Sequence, residues 1–105
     1  MYQVMVVDDE PMAASLIVNI IKRKYSDFEI MGTAYDGEEA LELMEEKGEP
    51  DVLITDIQMP VMNGLKLVEE TKKRYPEVIS VIVSGYQEFE YAKQAIAFGV
   101  CDYIL

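Results

Sequence analysis

The sequence predicts an α/β fold, a doubly wound parallel sheet with helices on both faces. Strand-like and helix-like segments alternate along the 105 residues, and this alternation is typical of parallel sheets. The strand-like segments contain continuous apolar runs, as at residues 4–7 and 52–54, which indicates strands that are buried on both faces. The length fits a single domain with one core.

Five strands are expected, each rich in apolar side chains and bounded by residues that favour turns. Their predicted positions are residues 3–7, 29–34, 52–55, 78–83 and 100–105. The first, third and fourth strands are each followed by a polar residue. A functional site is therefore expected at these strand ends.

Four helices are predicted between the strands, because apolar residues recur there at spacings of three and four. Pro11 lies in the first turn of the first helix, where its missing N–H is not needed. Asp36 and Glu39 predict a capping box at the start of the second helix. Pro76 ends the third helix, and Gly99 is the expected C-cap of the fourth.

The amino-acid composition argues against several classes of function. The chain carries 20 acidic and 9 basic residues, a formal net charge of -11. Direct nucleic-acid binding by this domain is not expected, because neutralising phosphates needs clustered Lys and Arg. The sequence contains no histidine, which excludes His-metal sites and Ser-His nucleophiles. Cys101 is the single cysteine, which fits a cytoplasmic protein, and no apolar stretch reaches the roughly 18 residues of a membrane span.

Three aspartates follow two of the predicted strands. Asp8 and Asp9 follow the first, and Asp56 follows the third. Ligands of an open α/β sheet lie outside the carboxyl ends of its strands, so we expect these acids at one edge. Two carboxylates about 5 Å apart repel by roughly 3 kcal/mol at an effective dielectric of about 20. The cluster therefore predicts a hard divalent cation such as Mg²⁺, although helix capping is an alternative role for each acid.

Four blocks of the sequence, in this order and spacing, resemble the receiver domain of two-component response regulators. They are Val-Val-Asp-Asp-Glu at 6–10, Asp-Ile-Gln-Met-Pro-Val-Met-Asn-Gly at 56–64, Ser-Gly-Tyr at 84–86 and Gly-Val-Cys-Asp-Tyr-Ile-Leu at 99–105. The resemblance covers essentially the whole chain. It implies a flavodoxin-like sheet with five strands in the order 2-1-3-4-5.

The resemblance assigns the acids to phosphoryl transfer. It implies that Asp56 is the nucleophile that accepts a phosphoryl group from a partner histidine kinase. Mg²⁺ is then expected on Asp9 directly, on Asp8 mainly through water, on Asp56, and on the backbone carbonyl of Gln58. The domain is expected to be a phosphoacceptor switch with only its own phosphorylation and dephosphorylation chemistry, and not an enzyme.

Two further residues are implied to transmit the phosphorylated state. By resemblance, Ser84 hydrogen-bonds the phosphoryl group, with the backbone amide of Ile57 as a second donor, and Tyr103 is the aromatic switch. From the sequence alone, Ser84 is equally a turn hydroxyl. Tyr103 is alternatively an ordinary packing residue with its hydroxyl at the surface.

Family members carry a lysine and a final helix after the fifth strand, whereas this sequence ends at Leu105. We therefore expect residues 1–105 to be one receiver domain, C-terminally truncated before both features, or else a natural remnant. Phosphorylation is expected to be slow without the lysine, and the uncovered apolar surface favours association, including a possible homodimer.

Residues 84–92 resemble receivers attached to AraC-type helix-turn-helix domains, which implies that the intact protein regulates transcription. The sequence leaves three alternative functions open. A phosphatase of the haloacid dehalogenase type needs an acid at position 58, where this chain has Gln58. A flavin-binding module needs a phosphate-cradling loop after the first strand, where this chain has acids. A receiver-like interaction module that is not phosphorylated is the third rival.

Overall fold

The computed structural model describes residues 1–83 in full and the backbone of residues 102–104. The strands are β1 (Tyr2–Val7), β2 (Phe28–Ala34), β3 (Val52–Thr55), β4 (Ile79–Val83) and β5 (Asp102–Ile104), and the helices are α1 (Pro11–Lys24), α2 (Gly37–Lys47) and α3 (Gly64–Arg74). The predicted fourth helix with Gly99, and also Ser84 and Cys101, lie outside the described residues.

The strands form one parallel sheet. β1 pairs with both β2 and β3, and β3 pairs with β4. The predicted parallel α/β sheet with the order β2-β1-β3-β4 is confirmed. Residues Asp102–Ile104 pair in parallel with β4, and the fifth strand predicted at 100–105 is described over these three residues.

The core is divided between the two faces of the sheet. One cluster of buried side chains joins the sheet to α2 and α3 and includes Met5, Leu53 and Leu67. The other cluster lies on the α1 side and includes Val6 and Ile21. Helices therefore pack on both faces, as the continuous apolar strands predicted. Among the described residues, no helix has the length and apolar character that spanning a bilayer requires.

One predicted element boundary agrees with the structure, and another differs from it by one residue. The predicted N-cap of α2 is confirmed, because Oδ1 of Asp36 accepts a hydrogen bond of 2.8 Å from the backbone N–H of Glu39. The start of β4 was predicted one residue early. Val78 N–H donates to the carbonyl of Tyr75 at 3.1 Å, so Val78 belongs to the turn after α3 although it is buried.

Candidate functional site

The candidate site begins with the register of β1 and β3. Val7 and Thr55 are partners in the parallel ladder, so the residues that follow them emerge side by side at the carboxyl edge of the sheet. Backbone bonds extend this alignment by one residue. Asp56 N–H donates to the carbonyl of Val7 at 3.0 Å, and Asp8 N–H donates to that of Ala34 at 3.1 Å.

The three predicted acids come together at this edge. One carboxylate oxygen from each of Asp8, Asp9 and Asp56 lies within 4.8 Å of the others. Asp8 is buried, Asp56 is half-buried and Asp9 is exposed, so the cluster opens to solvent on one side. Ligand oxygens around an octahedral Mg²⁺ are about 3–4 Å apart. The cluster therefore has the size and donor type for Mg²⁺ with mixed direct and water-mediated contacts.

The electrostatics of the cluster favour a cation. Burial is the main cause that raises the pKa of Asp8 above its ordinary value. A hydrogen bond of 3.0 Å from the Glu10 N–H to Asp8 Oδ1 opposes this rise, and the charges of Asp9 and Glu10 add to it. A divalent ion would reverse the Coulomb contribution, because it favours the charged carboxylate.

Backbone and side-chain donors orient the Asp56 residue. The Ile57 N–H donates to Asp56 Oδ1 at 2.8 Å, and the Thr55 hydroxyl donates to the Asp56 backbone carbonyl at 2.8 Å. Ile57 and Thr55 are fully buried, which keeps both donors fixed. The Ile57 amide, expected to serve the phosphoryl group, thus holds the carboxylate of Asp56 in this structure.

The loop after Asp56 is held against the start of α3. Gly64 N–H donates to the carbonyl of Ile57 at 2.7 Å. A Cβ atom at Gly64 would lie 1.9 Å from the Asp56 carbonyl oxygen, far closer than a carbon and an oxygen that are not bonded can approach. Gly64 is therefore required for steric space. No local pattern in the sequence predicts this steric role, although the Asn63-Gly64 pair is a visible turn signal.

The other predicted site residues stand differently. Gln58 is exposed in the same loop, two residues after Asp56. The backbone of Tyr103 lies in β5, where it pairs with Ile82 of β4, and Ser84 lies outside the described residues. Metal binding by the three aspartates and Gln58, the nucleophile role of Asp56, and the switch roles of Ser84 and Tyr103 stay predictions.

Comparison with known proteins identifies the family. The family model of the response regulator receiver domain matches residues 4–105. The chain belongs to this family. It is 37% identical over all 105 residues to the uncharacterized transcriptional regulatory protein YesN of Bacillus subtilis, and 38% identical over the same length to the transcriptional regulatory protein HptR of Staphylococcus aureus. The receiver chain spans 28% and 40% of the lengths of these two curated relatives.

Solved structures agree with this assignment. A DNA-binding response regulator of the LuxR family from Staphylococcus aureus is 31% identical, with a TM-score of 0.90 over 100% of this chain and 86% of that one. The receiver domain of AraT, a response regulator from Geobacillus stearothermophilus, is 38% identical, with a TM-score of 0.89 over 99% of this chain and 80% of that one. The chain is thus a phosphoacceptor signal receiver of a two-component system, a signalling module whose relatives include transcriptional regulators.

Proposed function

We propose that Asp56 is the phosphoacceptor of this receiver and that Asp8, Asp9, Asp56 and the Gln58 backbone carbonyl hold Mg²⁺. The observation that carries the proposal is the meeting of three carboxylate oxygens within 4.8 Å at the ends of two adjacent strands. Such a cluster is costly without a cation. Its open side gives a phosphodonor access to the half-buried Asp56.

In the proposed reaction, a carboxylate oxygen of Asp56 forms a bond to the phosphorus of a kinase phosphohistidine. The phosphorus–nitrogen bond breaks, and the imidazole leaves with the electron pair and takes up a proton. Bound Mg²⁺ would neutralise the charge of the phosphoryl oxygens. The Ile57 N–H fixes Asp56 Oδ1, so the carboxylate is oriented before the donor arrives. In self-dephosphorylation, a water oxygen forms a bond to the phosphorus and the phosphorus–oxygen bond to Asp56 breaks. The Asp56 carboxylate leaves with the electron pair, and inorganic phosphate is released after the water loses a proton to the solvent.

The finer parts of the function extend this proposal. Ser84 would bond the phosphoryl group, and Tyr103 would respond to it from β5, beside Ile82. Residues 1–105 would act as one five-stranded receiver domain in a longer cytoplasmic protein. Its relatives are named as transcriptional regulators, which supports a DNA-binding output domain. The resemblance of residues 84–92 favours the AraC type, and a homodimer of the domain is part of the same proposal.

Thermal melting with and without Mg²⁺ tests the metal site. At ten times its dissociation constant, the ion should add about 1.4 kcal/mol to the free energy of unfolding. For a domain of this size, that is about 5–10 °C in melting temperature. Asp9→Ala should lose most of the shift, whereas Glu45→Ala, which removes an exposed acid of α2, should keep it. A wild-type protein that does not respond to Mg²⁺ would refute the metal proposal.

Phosphorylation by acetyl phosphate, followed by mass spectrometry, tests the phosphoacceptor. Wild type should gain one phosphoryl group in the presence of Mg²⁺, and Asp56→Ala should gain none. Asp27→Ala removes an exposed acid elsewhere and should be labelled like wild type. Labelling that persists in Asp56→Ala would mean that another residue is the acceptor. Wild type that stays unlabelled would favour the unphosphorylated interaction module.

A further inference from the structure

The first turn of α2 is bonded to the loop that carries the candidate site. Gly37 is the first residue of α2, and its N–H donates to the carbonyl of Met62 at 3.0 Å. The first amides of a helix have no partner inside the helix, so Met62 satisfies a donor that α2 leaves open. This bond links α2 directly to the β3–α3 loop, residues 56–63.

The residue before this contact has an unusual backbone. Val61 has a φ of 67°, in the left-handed region that β-branched residues rarely adopt. The Met62 N–H donates to the carbonyl of Pro60 at 2.7 Å, which closes a γ-turn of the strained, positive-φ kind around Val61. The Val61 side chain is 76% exposed. The Val61 side chain therefore does not hold the turn. The backbone bonds of Pro60 and Met62 hold it, together with the packing of the Met59 and Met62 side chains against the core.

The contact between α2 and the loop leaves no space for a side chain. A Cβ atom at Gly37 would lie 2.8 Å from both the carbonyl oxygen and Cγ of Met62. The glycines with positive φ in the described residues do not include Gly37, so backbone conformation is not the reason for glycine here. Close approach of the loop is the reason.

The remainder of the loop is fixed at its two ends. Asp56 N–H bonds the Val7 carbonyl, and Gly64 N–H bonds the Ile57 carbonyl. The residues between these anchors, 58–62, include Gln58 and turn at Val61. The side chains of Met59 and Met62 pack against the core cluster, and the bond between Gly37 and Met62 ties the backbone of this middle part to α2.

We propose that Gly37 is a positioning residue for the metal site. It acts through the Met62 carbonyl and the strained Val61 turn to fix the backbone of the loop at Gln58. The inference rests on the proposed function, in which the Gln58 carbonyl is a metal ligand. It adds that α2, which contributes no ligand, sets the affinity of the receiver for Mg²⁺.

Two variants disturb the bond between Gly37 and Met62, here called the tether, from opposite sides. Gly37→Ala introduces the overlapping Cβ on α2. Val61→Pro fixes φ near -65° and so abolishes the turn at an exposed position without touching α2. Each should weaken Mg²⁺ binding by about tenfold, the size of effect that residues supporting metal ligands produce. Asp56 and its bonds to β1 stay in place, so the phosphorylation rate at saturating Mg²⁺ should stay within about twofold of wild type.

Each variant has a matched control. Gly32→Ala makes the same chemical change in β2, where a Cβ meets only Leu43 Cδ1 at 3.7 Å, an ordinary contact. Val61→Gly keeps access to the positive φ at the same position as Val61→Pro. Both controls should bind Mg²⁺ within about twofold of wild type, because the tether that supports the ligands is intact.

The measurements are Mg²⁺ titration by calorimetry and the rate of labelling by acetyl phosphate across Mg²⁺ concentrations. A merely structural role of Gly37 would lower the free energy of unfolding, measured by urea denaturation, without changing the Mg²⁺ affinity of the folded protein. Wild-type affinity in a folded Gly37→Ala or Val61→Pro protein would overturn the inference. If Gly37→Ala does not fold, Val61→Pro decides alone. Wild type that binds no Mg²⁺ would instead refute the proposed function.

Discussion

The two loops that form the site are built on different principles. The β1–α1 loop, residues 8–10, carries three acids, Asp8, Asp9 and Glu10, and a side chain of the loop itself holds it, because Asp8 Oδ1 accepts the Glu10 N–H. The β3–α3 loop, residues 56–63, carries one acid and is held by amides of two other elements, Gly37 of α2 and Gly64 of α3. In the described residues, the first loop is bonded to β2 through the Asp8 N–H and the Ala34 carbonyl and otherwise within itself, whereas the middle of the second loop depends on the assembled fold.

This difference has a physical consequence. In the β1–α1 loop (the short loop), the energetic cost of the folded arrangement is electrostatic, because the buried Asp8 carboxylate lies beside Asp9 and Glu10. In the β3–α3 loop (the long loop), the energetic cost is conformational. Val61 occupies the left-handed region, and the loop backbone approaches Gly37 and Gly64 too closely for a side chain at either position. Substitutions that remove charge should therefore relieve the first loop, whereas substitutions that add atoms should damage the second.

The largest expected effect is at Gly64. Its missing side chain lets the Asp56 carbonyl approach, and a Cβ atom would lie 1.9 Å from that oxygen. Because the obstacle is backbone and not a flexible side chain, Gly64→Ala should reduce the free energy of unfolding by about 3 kcal/mol or more. Urea denaturation followed by circular dichroism measures this change.

Gly32→Ala is the control for Gly64→Ala, since its Cβ would find ordinary contact distances. Its free energy of unfolding should change by less than about 1 kcal/mol. Equal losses in the two variants would mean that the long loop is no more demanding than a strand position. The two loops would then not differ in their tolerance of added atoms.

A smaller effect of opposite sign is expected at Asp8. Asp8→Asn keeps the oxygen that accepts the Glu10 N–H and removes a buried charge beside Asp9. Without metal, it should raise the free energy of unfolding at neutral pH by about 1–2 kcal/mol, since close carboxylates repel and burial penalises the charge. Thermal melting in the presence of a chelator measures the gain, and Mg²⁺ should then stabilise the variant less than wild type.

The pH dependence of this gain gives an independent check. The pKa of Asp8 is raised in the folded protein above its ordinary value of 3.8. Below that value Asp8 is protonated in both the folded and the unfolded protein, so its charge does not lower the free energy of unfolding. As pH rises through the window up to the folded pKa, the unfolded state loses its proton first, so wild type loses stability. The advantage of Asp8→Asn should therefore grow with pH and then level off. An advantage that is constant from acid to neutral pH would contradict the role of the charge.

The same contrast explains how far the sequence could predict the site. Asp8, Asp9 and Asp56 follow apolar strands, and the parallel sheet brings such strand ends to one edge. Their proximity could thus be predicted from local patterns and fold class. The Met62 contact with Gly37 and the positive φ of Val61 could not, because they depend on distances between α2 and the long loop that no local pattern encodes. For the same reason the Asn63-Gly64 pair indicates a turn but not the close approach of the Asp56 carbonyl to Gly64.

The smallest expected loss of unfolding free energy is at Asn63, the last residue of the β3–α3 loop. Oδ1 of Asn63 accepts a hydrogen bond of 2.9 Å from the Lys66 N–H and caps α3. Asn63→Ala should cost about 1 kcal/mol of unfolding free energy, the usual value of an N-cap, and Asn63→Asp should restore it because an acid also caps. The cap is local, whereas Gly64 beside it meets the distant Asp56. Urea denaturation should therefore give Asn63→Ala well under half the loss of Gly64→Ala, and similar losses would argue that α3 capping, and not the approach of Asp56, makes this position sensitive.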